Sequence, residues 1–175
     1  MKKLITMLLV LLLITGLCGC RFGSSLAENP VNFYYPWADL EAVMKQNPHC
    51  TVTGSEEHDI SGNRDSLSYV LSLYFLGPQD PGLISPFPHG TAVQSIEQGD
   101  TQLILTLSPA FAQLNGIDLT IACTCLAQTC FDLTDAESVR IESAMEDPLT
   151  AVNFTITREN LLLSDTSPEP ITSAE

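Results

Sequence analysis

The chain predicts an α+β fold: a mixed β-sheet with two main helices packed on one face. Three observations lead there. Apolar residues recur at helical spacing in two separate stretches, residues 67–75 and 119–130. Short runs around them alternate apolar and polar residues, as half-buried strands do. The pieces follow the order β-(β)-α-β-β-α-β-β, which segregates helices to one side of a sheet.

Val31-Asn32-Phe33-Tyr34-Tyr35 is aromatic and β-branched and is closed by Pro36, so it opens the domain as a strand. Residues 38–45 suit a short helix, and residues 51–60 a second, acidic strand. Ser61-Gly62-Asn63 is a turn. Leu67, Val70, Leu71, Tyr74 and Phe75 then form one helical stripe, with Asn63 or Asp65 as cap and Gly77-Pro78 as the stop signal. Residues 78–90 carry four prolines, which dictates a long surface loop with a defined path. Residues 91–97 and 101–107 pair as a hairpin across Gln98-Gly99-Asp100. The second of these strands is apolar on both faces (Leu103, Leu105 and Leu107 against Ile104), as a central strand is. Ser108-Pro109 begins a helical turn that Asn115-Gly116 ends. Asp118 caps the second main helix, whose stripe is Leu119, Ala122, Cys123, Leu126 and Cys130, widened by Ile121 and Cys125. Val139 and Ile141, then Val152, Phe154 and Ile156, alternate in two more strands, with a turn over 145–149. Leu161-Leu162-Leu163 adds a short edge.

Four segments organise the chain: a leader over 1–19, a tether over 20–30, the folded domain over 31–163, and a polar acidic tail over 164–175 that is expected to be disordered. Lys2 and Lys3 precede a nearly unbroken apolar run over 4–17, shorter than the about 20 residues that span a bilayer. It ends in Leu17-Cys18-Gly19-Cys20, which reads as a lipobox, the signal after which a bacterial lipoprotein carries diacylglycerol on its new first residue, Cys20. Two acyl chains make a stable anchor. Eleven steps from Cys20 to Val31 reach about 38 Å fully extended and roughly 18 Å as a coil, so the domain is expected to stay close to the outer face of the cytoplasmic membrane.

Removal of Lys2 and Lys3 with the leader deepens the net charge from −14 to −16. Such a chain does not suit nucleic acid, whose affinity comes from cations on phosphates, nor an anionic lipid surface without an anchor. Four cysteines remain besides Cys20. On a helix, Cys123 and Cys130 lie about 10.5 Å apart along the axis and Cys125 points about 200° away from Cys123. That geometry forbids a disulfide within the group and a shared metal. They read as small buried thiols, while Cys50 is open to pairing with one of them.

Nothing in the chain spells out an enzyme. Glu56-Glu57-His58-Asp59 is the densest polar cluster, but neighbours in a strand face opposite ways, and a charged edge strand resists aggregation without any catalytic role. His49-Cys50 is a poor nucleophile–base pair, because sequence neighbours seldom adopt the needed geometry. His89 sits among prolines as a turn residue. No phosphate loop, zinc spacing or nucleophile elbow is present, and no cofactor or metal is expected.

Several stretches together resemble a GerM domain, a module of sporulation and spore germination. They are the strand ending Phe33-Tyr34-Tyr35-Pro36, the helix running into Leu76-Gly77-Pro78, and the loop from Gly82 to Thr91, similar to the family's L-x-S-x-I-P-x-G-T. The central strand with its Leu107-Ser108, the long helix and the strand of Val139 and Ile141 complete the match. Thr106 stands where the family usually has Asp, and Cys123-Thr124-Cys125-Leu126 where it has a Thr-Leu segment. The resemblance covers 31–163 and implies a non-enzymatic envelope module, similar in fold to ring-building domains, that works through protein–protein contact. The expected function is therefore a lipid-anchored extracytoplasmic adaptor with an envelope protein partner. Pro86, Phe87, Pro88, His89 and Gly90 are the candidate contact loop, and Phe87 is expected to tolerate replacement by Ala without unfolding. The alternative is an extracytoplasmic binding module for a small solute, cell-wall fragment or cation, which requires a pocket with convergent polar groups.

Overall fold

A computed structural model describes residues 30–60, 66–143 and 151–161. The expected leader, Cys20, the acidic tail, and the turns over 61–63 and 145–149 lie outside those residues, as do Asn63 and Asp65.

The structure is α+β. Strand β1 (Val31–Pro36) pairs antiparallel with β2 (Thr53–His58), with the short helix α1 (Leu40–Gln46) between them in sequence. Helix α2 (Leu67–Tyr74) follows. Strands β3 (Val93–Gln98) and β4 (Gln102–Leu107) form the expected hairpin, helix α3 (Gly116–Leu133) crosses over, and β5 (Ser138–Ser143) and β6 (Val152–Thr157) close the domain. The strands divide into a two-stranded sheet, β1-β2, and a mixed four-stranded sheet, β3-β4-β5-β6, in which only β4 and β5 run parallel. β4 is an interior strand, as its two apolar faces predict.

Helix α3 joins the two sheets. It lies along β1 and also touches β5 and β6. From Ala122 onward nearly every side of it is buried, including Thr124, Ala127, Thr129 and Phe131, which lie off the predicted stripe. A helix covered all round must be small as well as apolar if its neighbours are to approach. Alanine, cysteine and threonine supply that, the last by returning its hydroxyl to the backbone: Thr124 Oγ1 donates to the Thr120 carbonyl at 2.8 Å. Cys123, Cys125 and Cys130 are free thiols buried in this packing. Burial pushes the Cys123 and Cys125 thiols up to about 12, and Cys130 also upward, so all three stay protonated and inert near neutral pH.

The free edge of β1 is covered by α3. The Asn32 N–H donates to Asp132 Oδ2 at 2.6 Å and the Tyr34 N–H to Thr129 Oγ1 at 3.0 Å. Two residues further along the same edge stands Pro36, which has no N–H to satisfy. That is why a proline is tolerated inside this strand. On the core side, Val31, Phe33 and Tyr35 are fully buried.

Several termini differ from the sequence expectation. Ser66, not Asn63 or Asp65, caps α2, accepting from the Tyr69 N–H at 3.2 Å. Helix α3 starts two residues before Asp118, which therefore sits in its first turn rather than at its cap. Ser108 caps no helix: its hydroxyl donates to the Gly90 carbonyl at 2.8 Å and accepts from the Ala92 N–H at 3.1 Å, and the helical turn after it is a short 3-10 segment at Phe111–Gln113. After β6 comes a 3-10 turn at Arg158–Asn160, and Leu161 belongs to no strand.

Candidate functional site: a pinned proline loop beside an apolar groove

The loop after α2 contains no regular secondary structure, yet its path is held at five points. At its start Glu56 reaches across from β2. Its carboxylate accepts from the Gln79 N–H at 2.9 Å and the Asp80 N–H at 2.9 Å, and meets His58 Nε2 at 2.6 Å. The His58 ring in turn stacks on Phe33, with centroids 4.3 Å apart. Partial burial pushes the Glu56 carboxyl up, but the Asp80 N–H, His58 and the Gln79 N–H together outweigh it and hold the group below the usual glutamate range. The acidic run is therefore not merely a solvated edge. Glu56 and His58 share one half-buried face and organise the loop, while Glu57 and Asp59 face solvent.

Next, the Gly82 N–H bonds Asp80 Oδ1 at 2.7 Å. The chain then runs beside the end of β1: the Ala38 N–H donates to the Gly82 carbonyl at 2.9 Å, the Ile84 N–H to the Pro36 carbonyl at 3.0 Å, and Trp37 and Leu83 form an antiparallel bridge. Leu83 is buried beneath this bridge. The fourth point is Phe87, which turns inward against Tyr74 (5.2 Å between centroids) and Phe75 (4.9 Å) and also approaches Phe111 (6.4 Å). Last, Ser108 ties the loop end to β4 through its bond to Gly90. Gly90 has φ +89°, a conformation that favours glycine.

Beneath the aromatic cluster the polar atoms are paired. Tyr35 Oη donates to the Tyr74 carbonyl at 2.7 Å, and Tyr74 Oη to the Tyr34 carbonyl at 2.6 Å. Burial, above all, pushes both phenols well above their ordinary range, so they remain donors.

The five candidate contact residues thus fall into two groups. His89 and Gly90 are exposed, whereas Pro86, Phe87 and Pro88 are half-buried. Phe87 is less a free contact than an anchor of the loop: its half-buried ring packs against Tyr74 and Phe75, so its truncation is expected to cost stability. The exposed apolar residue of the loop is Ile84, 49 % exposed.

A groove of about 470 Å³ opens beside this loop. Its walls include Trp37, Leu40, Ile84, Phe87, Leu114 and Ile121, and Ser85 and Asp118 bring polar side chains to it. Helical spacing extends the walls. Met44 lies one turn from Leu40 and Ile117 one turn from Ile121, and both are exposed, at 47 % and 69 %. The Trp37 indole is fixed edgewise, donating to the Thr51 carbonyl at 3.0 Å. It lies so close to β2 that a Cβ on Gly54 would come 2.6 Å from the ring and 2.8 Å from Leu83. Only glycine fits under this wall.

Trp37 and Gly54 were not singled out by sequence reasoning, while Glu56 was read as part of a charged edge strand and Ile121 only as part of a helical stripe. The one tryptophan of the chain, directly after a strand-ending proline, was the available signal for the groove; the others have meaning only through contacts distant in sequence.

No family model, curated protein or solved structure matches this chain. Among the described residues no group of three His, Cys, Asp or Glu side chains is placed to hold a metal ion, and no helix is long and apolar enough to cross a membrane.

Proposed function

We propose that this chain is a lipid-anchored extracytoplasmic adaptor of the GerM type, non-enzymatic, held at the outer face of the cytoplasmic membrane through Cys20 and docking an envelope protein, in sporulation or spore germination. The observation that carries the docking role is the groove. A pinned loop and two helices line a largely apolar groove whose Ile84 stands in solvent, and the exposed Met44 and Ile117 lie one helical turn from its Leu40 and Ile121. Exposed apolar surface of this kind marks an interaction site. The groove brings no acid–base pair together. The Glu56–His58 couple has its carboxylate committed to the Gln79 and Asp80 N–H groups.

The test is site-specific photo-crosslinking in intact cells. A photoreactive residue at Ile84 is expected to trap a discrete envelope protein, and one at Thr155, exposed on β6, to trap none. Equal trapping at both positions overturns the docking role. Separately, Cys20→Ala is expected to release the protein or leave its precursor unprocessed; normal processing with retained membrane attachment overturns the anchor. A second reading, an extracytoplasmic module that binds a small solute, draws on a separate cavity of mixed polarity beside Tyr34.

A further inference from the structure

Asn115 and Gly116 form the only Asn-Gly pair in the chain. In such a pair the glycine nitrogen attacks the asparagine side-chain carbon with little hindrance, because the following residue carries no Cβ. A fold suppresses the reaction by bonding the asparagine side chain, by bonding the glycine N–H, or by packing over both. Among the described residues none of these restraints is in place. Asn115 is the cap residue of α3, yet its side chain makes no capping hydrogen bond. The bond that opens the helix runs from the Leu119 N–H to the Asn115 carbonyl at 3.4 Å. The Gly116 N–H therefore belongs to the first turn, whose N–H groups a helix leaves without an internal partner. Both residues are exposed. A Cβ on Gly116 would meet nothing within 4 Å, and the pair borders an open depression of about 580 Å³ that admits water.

The other described asparagines are placed differently. Asn32 is half-buried, precedes Phe33, and donates its side-chain amide to Asp132 at 3.3 Å. Asn47 precedes Pro48, whose nitrogen has no proton to lose. Asn153 and Asn160 precede Phe154 and Leu161, whose side chains hinder the same attack. The Asn115 backbone is extended, with ψ 164°, so ring closure requires rotation about this one soft dihedral. The 3.4 Å bond to Leu119 is the main-chain contact that this rotation strains.

We propose that Asn115 is a site of spontaneous backbone modification in the folded protein. The Gly116 nitrogen gives its proton to a solvent base and bonds to Asn115 Cγ. The Cγ–Nδ2 bond breaks and ammonia leaves, which closes a succinimide ring. Water opens the ring at either carbonyl and leaves aspartate or isoaspartate at position 115. Either product adds a negative charge near Asp118. Isoaspartate also routes the main chain through its Cβ and so lengthens the path between Leu114 and Asp118, which both line the groove beside the proline loop. The reaction needs no partner and stands whether or not that groove docks one.

The test is to age the folded full chain at mildly alkaline pH and follow each asparagine by peptide mass spectrometry. Isoaspartate is labelled with a protein isoaspartyl methyltransferase. Asn115 is expected to convert roughly tenfold or more faster than Asn32, Asn153 and Asn160, with isoaspartate among its products. Gly116→Ala is expected to slow conversion by a similar factor. Gly116 lies at φ +56°, so alanine there strains the start of α3. The unsubstituted chain therefore carries a second comparison, with the same chain unfolded in guanidinium chloride. Because the fold restrains the pair so little, its folded rate is expected within about tenfold of the unfolded rate. A folded rate suppressed beyond that overturns the proposal. So does conversion no faster than at Asn153 or Asn160, or aspartate formed without isoaspartate, which means direct hydrolysis.

Discussion

The two ends of β1 face two different kinds of surface. At the Pro36 end, the groove is largely apolar, and several of its polar atoms are used in building it: the Trp37 indole, the Ile84 N–H and the Pro36 carbonyl all have partners. At the Asn32–Tyr34 end, the surface beside Tyr34 is of mixed polarity, with Asp132 and Arg158 next to Phe131 and Leu161. The first arrangement suits a large apolar surface docking with little directional bonding. The second suits contacts that are more polar and more directional. One strand serves both because its core-side residues are buried along its whole length, which leaves its ends and outer edge free to differ.

Breaking the groove end is expected to give the largest effects. Phe87→Ala removes the ring that joins Tyr74, Phe75 and Phe111, and a loss of about 3 kcal/mol, the low end for a Phe truncation because the ring is half-buried, should appear as a reduced denaturant midpoint. Gly54→Ala forces a Cβ against Trp37 and Leu83 and should cost about 2 kcal/mol. Trp37 fluorescence should change with it, because the indole must leave its place on β2. Unaltered fluorescence and stability together would show that the wall is not packed as described.

The loop staple should be weaker and pH-dependent. The Glu56 carboxyl is held below its ordinary range in the folded state, so its contribution is fully present above that range and fades as pH falls through the folded value. Glu56→Gln should therefore cost about 1 kcal/mol at neutral pH, and the difference from the unsubstituted protein should shrink on acidification. Melting temperatures measured from pH 7 down to about pH 3, below the ordinary carboxyl range, check the sign. A difference that grows on acidification would contradict the staple. The smallest effect concerns the helix between the sheets. Alkylation of the folded protein near neutral pH should modify the half-exposed Cys50 and spare Cys123, Cys125 and Cys130 until denaturant is added, as read by peptide mass spectrometry.

Much of the fold was legible locally. The stripe of Leu67, Val70, Leu71 and Tyr74, the hairpin across Gly99, and the two-faced apolar strand around Leu105 each follow from a period and a turn signal within a dozen residues. Caps were less legible. Ser66, Asp65 and Asn63 are all competent in isolation, and the choice among them depends on where α2 docks. Glu56 looked like an ordinary solvent-facing charge, since nothing nearby reveals that the Gln79 and Asp80 N–H groups come to it from more than twenty positions away. Phe87 looked like an exposed contact for a related reason: a proline-rich loop gives no period from which to tell inward from outward.

By itself the sequence determined the α+β class, the order of its elements, and a long fixed loop, because spacing, turn chemistry and proline act over short range. The division into two sheets, the burial of α3 from Ala122 onward, and the groove beside Trp37 were decided only by tertiary structure. Each depends on which distant surfaces meet, and a hydrogen bond or an apolar wall exists only once they do.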